Sequence, residues 1–176
     1  PEERPELRRA RREGAPQPWR RTAVSERGED DALLPAGLRD VLPPDAAHEA
    51  GVVAGLLTPF ERRGYQRVKP PLVEFEESLL AGPGAGVARH MFRLMDPISQ
   101  RMMGLRADMT TQVARIAATR LKDAPRPLRL CYAGQVLRVR GSQLRPERQY
   151  AQAGVELIGA EGVAGDAELV LLAAES

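Results

Sequence analysis

An α+β domain built around an antiparallel sheet is the fold class this sequence predicts. Three observations lead there. Residues 126–159 read as two long strands joined by a polar loop, Asp96-Pro97 punctuates a second, shorter hairpin, and helical segments fall between the hairpins instead of alternating with single strands. With 176 residues, 43% of them hydrophobic, the chain can fill one core.

Taken in order, residues 1–31 hold eight arginines and eight acidic residues with few apolar ones, which predicts a disordered charged tail ahead of a domain over 32–176. A basic arm for RNA, using Arg8, Arg9, Arg11, Arg12, Arg20 and Arg21 with Trp19 to stack on a base, is the other reading, although the acidic residues cancel its charge. "AGLRDVLPPDAAHEA" leads into a helix with Asp45 as N-cap after Pro43 and Pro44. Val52, Val53, Leu56 and Phe60 form its buried face, and Gly64 ends it. In "YQRVKPPLVEF" the missing N–H groups of Pro70 and Pro71 confine a strand to an edge or an interface.

"EESLLAGPGAGVARH" predicts a short helical piece and a glycine-rich connector that lacks phosphate-binding spacing. "MFRLMDPISQRMMGLRA" gives the short hairpin, with Met91, Met95, Met102 and Met103 as adaptable core or subunit-contact residues. "DMTTQVARIAATRLKD" is an amphipathic helix that buries Val113, Ile116, Ala117 and Leu121. The two long strands follow, joined by loop 141–147. The last residues, "DAELVLLAAES", begin another helix and stop without a C-cap signal, as expected of part of a longer chain.

Composition removes several function classes. A net charge of +2, from 26 basic and 24 acidic residues, does not argue for a nucleic-acid partner. The single cysteine, Cys131, permits no internal disulfide, and His48 and His90 are too far apart for a metal site. No nucleophile-base pair or paired carboxylates stand at a spacing suited to covalent or hydrolytic catalysis. There is no apolar run long enough to span a bilayer and no signal-peptide pattern, so a cytoplasmic location without membrane contact is expected.

The polar residues of the long hairpin are harder to explain as core. Read with period two, Gln152, Gly154, Glu156 and Ile158 share one face, and Ala151, Ala153, Val155 and Leu157 form a core face opposite. An amide and a carboxylate either side of a glycine leave an open space on a rigid floor, suited to a small polar ligand. Arg138 falls on the same face as Val136 and Arg140. It could bind a ligand carboxylate in bidentate fashion, or form a structural ion pair with Glu156; spacing alone allows both. Asp108, before a helix with Thr110 and Thr111, fits an N-cap and equally a ligand-facing carboxylate.

Four landmarks in order resemble the catalytic core of the class II synthetases, specifically the histidyl-tRNA synthetase group: "GLRDVLPPD", "GYQRVKPPLVEFEESL" with Pro71 at the first class II motif, "LRADMT" in place of Leu-Arg-Pro-Glu-x-Thr, and the hairpin from Val136 to Gly159. The resemblance spans residues 36–176 and implies the N-terminal part of a class II antiparallel sheet flanked by helices. Within that group, "FRLMDPISQRMMGLRADMTTQVARIAA", "RLCYAGQVLR" and "QAGVELIG" are most similar to the regulatory subunits of ATP phosphoribosyltransferase, a synthetase-like family without aminoacylation.

That resemblance implies a non-catalytic, cofactor-free subunit that binds histidine and works with a short-form catalytic transferase at the first step of histidine biosynthesis. It also implies self-association through the region near Pro71. Carried over position by position, the histidine-contacting residues are Asp108, Thr110, Arg138, Gln152 and Glu156. Three positions depart from the synthetase pattern: Asp108 is shorter than the family's glutamate, Arg140 replaces the glutamate that faces adenine, and Pro146 replaces an arginine for the ATP phosphates. A guanidinium cannot accept from the adenine amino group and a proline offers no donor, so ATP recognition is expected to be lost. A histidyl-tRNA ligase is the alternative reading.

Overall fold

In the computed structural model, residues 34–81, 86 and 88–176 are described, and Pro35–Ser176 form one compact unit. The charged segment 1–31 and most of the glycine-rich connector lie outside the described residues. Helix α1 (Asp45–Arg62) is followed by strands β1 (Gln66–Arg67) and β2 (Val73–Phe75), the single turn α2 (Glu76–Leu80), and the hairpin β3 (Phe92–Met95) and β4 (Met102–Leu105). Helix α3 (Thr110–Thr119), strands β5 (Leu128–Leu137) and β6 (Gln149–Ile158), and helix α4 (Val163–Glu175) complete the order.

The α+β class holds, but the strands form two three-stranded sheets, ordered β1-β5-β6 and β2-β4-β3. The prolines explain the division. Pro70 and Pro71 split "YQRVKPPLVEF" into two short strands, of which β1 pairs in parallel with β5 and β2 pairs antiparallel with β4. Both are edge strands, as the prolines require. Asp96 makes the β3–β4 turn, accepting from the backbone N–H groups of Ile98 and Ser99 and from the Ser99 hydroxyl.

Helix α1 begins one residue earlier than predicted, at the residue expected to cap it. Pro44 is the N-cap and Asp45 lies within the first turn, where its charge meets the positive end of the helix dipole. Gly64, at φ 82°, takes the left-handed position that follows the helix. Leu57 and Phe60 are its buried residues, Val53 and Leu56 pack partly, and Val52 faces solvent, so the helix is rotated from the predicted face by about one residue.

Both faces of the long hairpin are covered. Leu57, Phe60, Tyr65, Cys131 and Leu172 pack on one side with Ala133 and Val155, bringing α1 and α4 against odd-numbered strand positions. On the other side Met109, Val113 and Ala117 of α3 and the residue before it pack on Leu128, Leu130, Tyr132 and Val136. Helix α3 thus covers the β5 part of the Gln152 face while the β6 residues stay half-buried, which period-two alternation on β6 alone does not reveal. Arg129 grips Glu168 through two bonds of 2.8 Å and Tyr65 donates to the same carboxylate, docking α4 on the sheet. Arg115 forks onto Glu74 in the same manner and ties α3 to β2. Of the four clustered methionines, Met91 is core, while Met95 and Met102 are exposed. Among the described residues no helix is long and apolar enough to cross a membrane.

Candidate functional site

Gln152 sits opposite Gly134 in the β5–β6 register, Gly154 opposite Tyr132, and Glu156 opposite Leu130. The space that Gly154 leaves is not open. A Cβ there would lie 2.6 Å from the Tyr132 phenol oxygen, so the glycine exists to admit the tyrosine ring. Tyr132 then bridges the two halves of the polar face: its O–H donates to Glu156 Oε1 at 3.1 Å, and its oxygen is 3.1 Å from Thr110 Oγ1. With the phenol proton committed to Glu156, the Thr110 hydroxyl is the donor in the second bond.

The other half is built where β4 runs into α3. Asp108 Oδ1 accepts the Thr110 backbone N–H at 2.8 Å, and Gln152 Nε2 donates to Asp108 Oδ2 at 2.9 Å. Gln152 Oε1 accepts the Met109 N–H at 3.0 Å. The assigned N-cap is Met109, one residue after Asp108, yet the carboxylate still satisfies a free amide of the first turn. Capping and site formation are therefore one arrangement. Asp108, Thr110, Gln152 and Glu156 form a continuous chain through Tyr132.

Electrostatics mark the Glu156 end. Burial raises the Glu156 carboxyl above its ordinary value and the Asp108 charge adds to it, while bonds from Tyr132 and Thr110 pull the other way. The Tyr132 phenol is pushed up to about 12, chiefly by burial and further by the Glu156 and Asp108 charges, against the Thr110 bond. A cationic or N–H-bearing group is the complement such a pair of carboxylates calls for.

Arg138 stands apart. Its backbone N–H bonds the Arg148 carbonyl, whereas Glu156 lies eight residues farther along that strand (156 − 148), and no ion pair joins them. The Arg138 guanidinium instead stands 5.4 Å from the Tyr150 ring centre, with Nε 3.5 Å from the Ala107 carbonyl.

A residue that sequence reasoning passed over holds these parts together. Arg106 is 7% exposed and, among the described residues, carries no carboxylate partner; it donates to the carbonyls of Gln135 and Pro70 at 2.8 and 2.9 Å. A Cβ on Gly134 would lie 2.5 Å from its Nη2, so that glycine makes room for the guanidinium. The signal for both hidden residues is the same: a glycine in a long strand directly across from, or beside, a large side chain.

Among the described residues, none of the four best-formed cavities is lined by Asp108, Thr110, Gln152 or Glu156. One of about 600 Å3 lies on the opposite face of the hairpin, between α1 and β6, with Glu49 and Gln135 bonded across it at 2.9 Å. The polar chain is instead a shallow, half-buried surface, with Thr110 exposed.

A family model of histidyl-tRNA synthetase matches residues 37–176, four-fifths of the chain and all of this site. The chain belongs to the histidyl-tRNA synthetase family. Curated relatives named ATP phosphoribosyltransferase regulatory subunit are 71% identical in Rhodospirillum centenum and 68% in Paramagnetospirillum magneticum, each over 145 residues, or 82% of this chain and 38% of the relative. The chain thus spans well under half the length of the curated relatives it matches. Among solved structures, an ATP phosphoribosyltransferase regulatory subunit/histidyl-tRNA synthetase from Bacillus halodurans is 31% identical with a TM-score of 0.68, covering 80% of this chain and 36% of that one. The histidyl-tRNA synthetase of S. aureus is 27% identical with a TM-score of 0.65, covering 80% and 33%. The class II histidyl-tRNA synthetase fold expected from the four landmarks is the fold this chain adopts.

Proposed function

We propose that this chain is the histidine-binding part of a regulatory subunit of ATP phosphoribosyltransferase, non-catalytic itself and acting with a separate short-form catalytic subunit. The observation that carries the reading is the intact polar chain Asp108–Gln152 and Thr110–Tyr132–Glu156 beside Arg140 and Pro146 at the positions where a synthetase would hold ATP. Amino-acid recognition is kept and nucleotide recognition is not. The names of the most similar relatives support the same assembly.

In this reading Asp108 and Gln152 receive the ligand ammonium, whose N–H groups need acceptors at the carboxylate and amide oxygens. Glu156 accepts an imidazole N–H at the oxygen that Tyr132 does not use, and Arg138 takes the carboxylate in a forked pair. Histidine then conveys feedback by favouring one of two arrangements of the assembly, since a ligand shifts an equilibrium only through its differential affinity. Self-association through the surface around Pro71 belongs to the same proposal. A concavity of about 500 Å3 there is flanked by Lys69, Pro70, Pro71, Arg115 and Arg120.

The test uses the full-length protein: a calorimetric titration with histidine beside histidine-dependent exchange of pyrophosphate into ATP. Binding without exchange is expected. Exchange would identify a tRNA ligase, and the absence of both signals would reduce the polar chain to a structural network.

A further inference from the structure

Tyr132 is 3% exposed and belongs to the core cluster with Met109 and Leu130, yet its hydroxyl links the two halves of the polar chain, 3.1 Å from Thr110 Oγ1 and 3.1 Å from Glu156 Oε1. Packing alone does not call for a phenol. On β5 the residue pairs with Gly154, and Glu156 stands two positions farther along the same face of β6, so the hydroxyl reaches its acceptor diagonally across the strands. The atom nearest a Cβ on Gly154 would be that hydroxyl oxygen, so the glycine clears space for the polar atom as well as for the ring.

A carboxylate in a half-buried site is free to turn unless a donor holds one of its oxygens. Tyr132 supplies that donor at any physiological pH, because burial pushes its phenol up to about 12 and it keeps its proton. The charged or titratable groups that face Glu156 are Tyr132 from β5 and Asp108 from the turn before α3, with the neutral Thr110 beside them. Among the described residues neither carboxylate enters an ion pair. Thr110 gives its one hydroxyl proton to Tyr132 and keeps an acceptor site on the same oxygen for a ligand N–H. Bonds that run in one direction polarise one another, so an N–H placed on Thr110 strengthens the donation from Tyr132 to Glu156.

We propose, on the basis of the histidine reading, that Tyr132 is a positioning residue for the ligand ring: it holds Glu156 Oε1, leaves the second oxygen to a ring N–H, and ties that orientation through Thr110 to the ammonium end of the site. The site then selects an amino acid whose side chain carries a ring N–H. Both ends of the ligand are read through one chain of hydroxyls.

The experiment compares the full-length protein with its Tyr132→Phe variant, which keeps the ring in the clearance at Gly154. Carboxyl-carbon NMR follows the Glu156 titration without ligand, and calorimetry across the same pH range measures histidine and thienylalanine, an amino acid with a five-membered ring and no ring N–H. Without the phenol donor, burial and the Asp108 charge act on Glu156 less opposed, so its titration and the acid limb of histidine binding should both move to higher pH. The ring of free histidine titrates alike in both experiments, so the difference belongs to Glu156. The preference for histidine over thienylalanine should shrink by about tenfold, the scale of one hydrogen bond to a charged group. Thr110→Val, at an exposed position, cuts the chain ahead of Tyr132 without touching the core and should move the Glu156 titration the same way. A Glu156 titration that stays in place in both variants, or an unchanged preference between the two amino acids, would reduce Tyr132 to packing. Absence of histidine binding by the parent protein would overturn the histidine reading and this proposal together, whereas binding with an unmoved Glu156 titration would overturn this proposal alone.

Discussion

Glu156 is held in a state that folding does not prefer. Its raised carboxyl means that the folded chain binds a proton more tightly than the unfolded chain, whose value is the ordinary 4.5. The contribution to stability is full below 4.5 and is lost as pH rises through the folded value. Glu156→Gln removes that loss while keeping an acceptor for the Tyr132 phenol. In the full-length protein the variant should match or exceed the parent in urea unfolding at pH 7 and show no advantage at pH 4, while histidine binding disappears. An unchanged histidine affinity would assign Glu156 to structure alone. Gln152 and Glu156 are legible as a polar face of alternating residues, but Tyr132 is not, because its place in the chain of bonds depends on the register that sets it opposite Gly154.

Between elements, the polar contacts decide how the sheets and helices meet. Arg106 spans from the Pro70 carbonyl to Gln135 on β5, joining the segment that precedes β2 to the long hairpin. Its guanidinium is lowered from the ordinary arginine value by burial, an effect the Glu74 charge partly offsets, and it serves backbone carbonyls only. Arg106→Leu would leave buried acceptors without donors, each costing about 1–3 kcal/mol, so a loss of at least about 2 kcal/mol is expected in denaturant unfolding. A change below about 0.5 kcal/mol would show that water replaces the guanidinium at no cost. The same contact places Gly134 and, across the register, Gln152; weakened histidine binding in this variant would follow from position and not from contact.

At the scale of the whole molecule, the loss of ATP recognition is proposed to rest on two positions that act together. Arg140→Glu alone restores an acceptor but leaves Pro146 without a donor, so pyrophosphate exchange by the full-length protein should stay undetectable. Measurable exchange would place the barrier at Arg140 alone. Strand β6 is the edge of its sheet among the described residues, and the longer relatives extend well beyond the segment matched here. Pattern in the sequence by itself determined the α+β class, the two hairpins, the helices and the order of the family landmarks, because turn residues and apolar periodicity act over a few neighbours. It could not determine that Pro70 and Pro71 send β1 and β2 to different sheets, that α3 covers the β5 part of the Gln152 face, or that Arg138 and Glu156 lie too far apart to pair. Those outcomes rest on contacts between residues 20 to 90 positions apart, such as Gln135 with Glu49 and Gln152 with Asp108, and only tertiary packing brings such partners within hydrogen-bond reach.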